Sequence, residues 1–270
     1  MTSTSRLSTR TVTVPGARLH YEVRGDGPLL LILGAPMSAV EFVPLAHALA
    51  ADHTVVTTDP RGIAASVVDD PAQDSTPELR ADDVAAILDD LGADTADVFG
   101  SSGGGVTGLA LVARHPDRVR ALVAHEPPLL ELLPDAAAQR AATDEIVATF
   151  HRDGYHAAFA QFMITAGFDL PDDAPAGPPG EPDPNEEANA THFFAHELRP
   201  TTRYLPDLEA LRNARVVLGL GVDSGQLLTQ RTTVALAELL GTDPVMFPGD
   251  HGGFLSEPGD FADTLRLALA

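Results

Sequence analysis

The chain has 270 residues, enough for one large α/β domain with a substantial core or for two small domains. Its 17 basic residues, all arginine, face 39 Asp and Glu, and the formal charge of −22 repels polyanions, which speaks against nucleic acid and anionic membrane surfaces as partners. With no cysteine, a disulfide framework, thiolate chemistry and a cysteine-based metal site are excluded. Residues 1–10 are polar and lack the apolar core of a signal peptide, and the longest apolar run, residues 29–33, is far too short to span a bilayer. A cytoplasmic location is expected.

Hydrophobic periodicity alternates between strand and helix along most of the chain. Residues 11–14 and 19–23 read as strands joined at the turn dipeptide Pro15-Gly16. The continuous apolar run 29–33 suits a strand buried on both faces. Helical spacing at 40–50 precedes a β-branched strand at 53–58, which ends at Asp59-Pro60-Arg61-Gly62. Residues 76–91 carry Leu79, Val84, Ile87, Leu88 and Leu91 on one helical face and stop at Gly92. A strand at 96–99, a helix at 104–114 and a strand at 119–124 follow. The last third repeats the rhythm with strand 215–220, helix 226–240, strand 245–247 and helix 261–269. Strands alternating with helices predict a mostly parallel sheet covered on both faces.

Residues 127–206 break this rhythm with two helix-like pieces, 135–166 and 186–198, around a linker at 169–184 dense in Pro, Asp and Gly. Such an interruption between two sheet strands predicts a helical cap inserted into a core made of residues 1–126 and 207–270.

The chemistry centres on Val98-Phe99-Gly100-Ser101-Ser102-Gly103-Gly104-Gly105. Read as Gly-x-Ser-x-Gly, it is a sharp strand-to-helix turn that holds its central serine in a strained conformation. Only Ser102 fits, because Ser101 would need a glycine where Phe99 stands. A serine hydroxyl needs an adjacent base that is itself oriented by an acid. His251, on the Gly-rich loop after the last predicted strand, is the candidate base. Asp223, two residues after Gly221, is the first choice of acid, and Glu126, at the end of the strand behind the elbow helix, is the second. The N–H of Gly103 at a helix N-terminus and that of Ala35 are candidate oxyanion donors; Pro36 has none to offer.

These residues and their order resemble the α/β-hydrolase fold superfamily along nearly the full chain: the loop Leu33-Gly34-Ala35, the turn Asp59-Pro60-Arg61-Gly62, the elbow at Ser102 and the loop of His251. The chain order Ser102, Asp223, His251 matches the superfamily's order of nucleophile, acid and histidine. Two features depart from the pattern. Leu33 replaces the usual histidine before the oxyanion-loop glycine, and Ser224, not an acid, holds the third place after Gly221. Some branches carry the acid after the earlier strand, which keeps Glu126 in play.

The resemblance implies a cofactor-independent serine hydrolase for a carboxylic ester or lactone. The same scaffold also serves C–C bond hydrolysis, perhydrolysis and cyclisation, or binding without turnover. Met37, Phe162 and Phe193 are expected to line an apolar pocket for a small neutral compound. His192 and His196, four apart, lack a convincing third ligand, so no metal site is expected. The Asp59-Pro60-Arg61-Gly62 segment reads as a turn stiffened by an arginine–carboxylate pair.

Overall fold

Alternate residues of β3 (Leu29–Leu33) point to opposite sides of a sheet, and both sides are apolar. Leu31 and Leu33 join Val98 and Leu122 in one core, whereas Leu30 and Ile32 join Phe99 and Val123 in the other. A computed structural model describes residues 7–168 and 185–270; the linker expected at 169–184 lies outside the described residues.

Among the described residues the sheet also holds β1 (Ser8–Val14), β2 (Ala17–Arg24), β4 (Thr54–Thr58), β5 (Val67–Val68), β6 (Ala96–Ser101), β7 (Val119–His125), β8 (Val216–Gly221) and β9 (Val245–Phe247). Their spatial order is β1-β2-β4-β3-β6-β7-β8-β9, with the short β5 paired to β2. β1, β2 and β5 pair antiparallel, and all pairs from β4 to β9 are parallel. The sheet is therefore mostly parallel, as its buried apolar runs predict.

The helices are α1 (Val43–Leu49), α2 (Pro77–Leu91), α3 (Gly103–Arg114), α4 (Ala136–Asp153), α5 (Tyr155–Ala166), α6 (Glu186–His192), α7 (Leu198–Thr202), α8 (Leu208–Arg212), α9 (Leu228–Leu240), α10 (Gly253–Ser256) and α11 (Pro258–Leu269). α1, α10 and α11 cover one face of the sheet; α2, α3, α8 and α9 cover the other. Local chemistry sets the bounds of α2: the Thr76 hydroxyl accepts the Leu79 N–H at 3.2 Å, and Gly92 closes the helix in the left-handed conformation. None of the helices among the described residues is long and apolar enough to cross a membrane.

Helices α4 to α7 lie between β7 and β8 in the chain. Ile146, Val147, Ala158, Phe193, Phe194 and Leu198 give them an apolar cluster of their own. The stretch expected as one helix at 135–166 is divided at Gly154 into α4 and α5. The second stretch contains a π-helical turn, Phe193–Glu197, between α6 and α7. The wider turn shifts the side-chain register and carries Glu197 into the interior.

These inserted helices are seated on the turn after β4. The His192 ring lies where any side chain at Gly62 would collide with it. Arg61 is buried beneath and makes a two-pronged pair with Asp83 of α2, through Nε at 2.7 Å and Nη2 at 2.6 Å. The carboxylate that stiffens this turn is thus Asp83 and not the adjacent Asp59, which instead accepts the Ala39 and Ala65 N–H groups at 2.9 and 3.0 Å.

Removing one partner of a buried ion pair strands the other charge. Asp83→Ala is expected to destabilise the fold by roughly 3–5 kcal/mol in urea unfolding, and the apolar double variant Arg61→Met/Asp83→Leu by less.

Candidate active site

The elbow is built by steric exclusion. Ser102 has φ 55° and ψ −125°, a conformation that L residues rarely adopt. It can persist because the backbones around it close in: a Cβ on Gly100 would strike the Gly104 carbonyl, and one on Gly104 would strike that of Leu33. The Ser102 N–H donates to the His125 carbonyl at 2.9 Å, which ties the turn to the end of β7. The two adjacent serines part ways here. Ser101 is buried with its hydroxyl 3.2 Å from His125 Nδ1, whereas Ser102 faces a cavity of about 980 Å³ that His251 also lines.

The carboxylate on His251 is Glu126. Its Oε2 lies 2.6 Å from His251 Nδ1 and accepts the Thr229 hydroxyl at 2.8 Å; its Oε1 accepts the Gly221 N–H at 2.9 Å and the Ser224 hydroxyl. Glu126 is fully buried and has φ 49°, a second strained residue beside Ser102. Burial pushes its carboxyl pKa up. The His251 hydrogen bond and charge, the His125 ring and the Ser224 hydroxyl outweigh that and bring it down to about 2.

Asp223, the first choice from the chain order, lies elsewhere. After Gly221 the chain turns so that the Val222 and Asp223 N–H groups donate to Phe247 and Gly249 carbonyls at 2.9 and 3.0 Å. The turn buries Ser224 and leaves Asp223 exposed. The inward position three residues after the glycine belongs to a serine, and that serine hydrogen-bonds the carboxylate of Glu126.

His125 forms a floor under His251. Its ring lies 6.1 Å from that of His251 at an interplanar angle of 23°, with Phe247 and Phe261 edge-on at 5.6 and 5.3 Å. Burial in this aromatic nest pushes its pKa down to about 3, so the ring is neutral at physiological pH. Sequence reasoning missed it, because a histidine inside a buried strand carries no distinguishing pattern.

Ala35 and Gly103 flank Ser102 on the same cavity, with the Ala35 carbonyl packed against the Gly103 backbone. As the first residue of α3, Gly103 has one of the four N–H groups that a helix leaves without an internal acceptor. Met37 comes from the loop after β3, Phe162 from α5 and Phe193 from the π-helical turn, and all three stand in the cavity wall. His192 packs on Gly62, whereas His196 makes a polar contact, its Nδ1 3.1 Å from Asp74 Oδ1.

The comparisons agree with this architecture. A family model described as the α/β hydrolase fold matches residues 27–167. A Bacillus subtilis protein named "uncharacterized hydrolase YraK" is 32% identical over 274 residues, covering 96% of this chain and 95% of that protein. The crystal structure of a hydrolase from Pseudomonas aeruginosa PA01 superposes with a TM-score of 0.74 at 22% identity, covering 97% of this chain and 98% of the other. An N-acyl homoserine lactone degrading enzyme is similar in fold with a TM-score of 0.69 at 22% identity, covering 95% and 99%. The chain belongs to the α/β hydrolase fold family and is an enzyme of the hydrolase type.

Proposed function

We propose that the protein is a serine hydrolase that cleaves a carboxylic ester or lactone of a neutral, hydrophobic compound through a Ser102–His251–Glu126 triad. The observation that carries this reading is the 2.6 Å contact between Glu126 and His251 on the cavity that the strained Ser102 faces. A buried carboxylate at Nδ1 fixes the imidazole tautomer that leaves Nε2 free to accept a proton, and it stabilises the imidazolium that then forms. Ser102 Oγ attacks the substrate carbonyl while His251 takes its proton. The Ala35 and Gly103 N–H groups receive the negative charge of the tetrahedral intermediate. His251 returns the proton to the departing alkoxide, and water repeats the sequence to release the acid and restore the serine.

The four inserted helices act as a cap over this site. Phe159, Phe162, Phe193 and Phe194 give the cap side of the cavity an apolar wall, and no arginine lines it among the described residues. An uncharged acyl compound suits such a surface better than a carboxylate or phosphate. The similarity in fold to a lactone-degrading enzyme keeps lactones in the class.

Hydrolysis of a panel of p-nitrophenyl esters and acyl lactones tests the assignment. Ser102→Ala is expected to lower kcat by roughly 10⁴- to 10⁶-fold, and Glu126→Gln by about 10³- to 10⁴-fold. Asp223→Asn is expected to leave the rate within about twofold, as for an exposed position. Full activity in Ser102→Ala, or a larger loss in Asp223→Asn than in Glu126→Gln, overturns the triad.

The same groups set an acid limit on stability. His125 binds its proton near pH 6.5 when unfolded but only at about 3 when folded, and Glu126 at 4.5 against about 2. In both windows the unfolded chain holds more protons, so stability falls as the pH drops through them. His125→Phe is expected to flatten the decline between about pH 6.5 and 3 relative to the parent protein, read from urea midpoints at a series of pH values.

A further inference from the structure

The one cation of α2, Arg80, takes no direct part in the proposed reaction, yet its hydrogen bonds reach the elbow. Arg80 is 2% exposed, and among the described residues no carboxylate stands within ion-pair distance of it. Nε donates to the Thr107 hydroxyl at 2.9 Å, Nη1 to the Ser75 carbonyl at 2.5 Å and hydroxyl at 3.3 Å, and Nη2 to the Thr201 hydroxyl at 2.9 Å. Ser75 in turn donates its N–H to the His196 carbonyl at 2.9 Å. One guanidinium thus bonds α3 through Thr107 and α7 through Thr201, and it reaches the π-helical turn through Ser75. Glu197, on that turn, is the acid whose field acts most on Arg80; it is fully buried with no hydrogen-bond partner of its own among the described residues, and burial pushes its pKa up to about 7.

Thr107 gives this arrangement its reach. Its hydroxyl accepts from Arg80 and donates to the Gly103 carbonyl at 3.1 Å. The first turn of α3 is Gly103-Gly104-Gly105, which has no side chains with which to hold itself, and glycine gives up more backbone freedom on ordering than any other residue. The strained serine and the Gly103 N–H both belong to this turn. A displacement there of a fraction of an ångström moves the nucleophile relative to the donors of the oxyanion site.

We propose that Arg80 is a positioning residue that fixes the three-glycine turn through Thr107 and, through Thr201, locks the inserted helices to that same turn. The inference rests on Ser102 being the nucleophile. It makes the fit between cap and elbow a determinant of turnover and not only of stability.

The full chain serves for the test, with the rate of covalent labelling by a fluorophosphonate probe measured beside kcat, KM and circular dichroism. Thr107→Val removes the relay with little change in volume and is expected to slow labelling and kcat by about tenfold while KM stays within about twofold. Thr107→Ser, which keeps the hydroxyl, is expected to recover most of both rates. The double variant Arg80→Met/Glu197→Gln removes the buried cation together with the buried acid that acts on it, and it is expected to reproduce the loss in folded protein. Labelling of Thr107→Val at the parental rate, whatever its stability, overturns the inference while leaving Ser102 as nucleophile. A parent protein that takes up no probe overturns the nucleophile assignment, and this inference with it.

Discussion

A single buried carboxylate gathers the parts of the site. Glu126 receives donors from four separate places: the Gly221 N–H at the end of β8, the Ser224 hydroxyl in the turn beyond, the Thr229 hydroxyl at the start of α9, and the His251 ring after β9. A buried anion with four donors is stable only if all arrive together, because each missing one leaves charge uncompensated in a dry interior. Three of these donors come from residues 221–229 and the fourth from the loop after β9, all of them 95 or more residues along the chain from Glu126, so the carboxylate ties the last third of the chain to the end of β7. The strained backbone of Glu126 is tolerated because its side chain is so fully engaged.

The sheet supplies the geometry that the carboxylate exploits. β6 and β7 pair in register through Ser101 and His125, and β7 and β8 through His125 and Gly219. Ser102 and Glu126 therefore follow strand ends that stand level with Gly219, two residues before the end of β8, on strands about 4.8 Å apart. Close approach is built into the neighbours. Gly219 leaves room for the His125 and Phe247 rings, Gly100 lets α3 press against β6, and Gly104 lets it press against β3. His125 links Ser102 to His251, because its carbonyl holds the Ser102 N–H while its ring backs His251.

Much of this was legible in the residues. Strand β3 and strand β9 fall at the predicted positions, and the glycine spacing singled out Ser102 over Ser101, because steric demands at a tight turn are local and leave a local pattern. The partner of His251 was not, since it depends on which of two neighbouring strand ends turns its carboxylate inward. Asp223 and Glu126 follow adjacent parallel strands, and only the turn after Gly221 decides between them. The serine at position 224 was the available sign. The π-helical turn and the burial of Glu197 were hidden for a similar reason: one extra residue per turn rotates a helix face without altering its composition. Arg80 sits among the charged residues of α2 and reads as solvent-facing until α3 and α7 close over it.

The contact on which the rest depends can be observed without any substrate. A proton shared between a buried carboxylate and imidazole Nδ1 resonates far downfield in the ¹H NMR spectrum, outside the envelope of amide signals. The spectrum is predicted to show such a resonance in the parent protein and in Asp223→Asn, and to lose it in Glu126→Gln. Survival of the signal in Glu126→Gln with its loss in Asp223→Asn would contradict the assignment of Glu126 as the partner of His251.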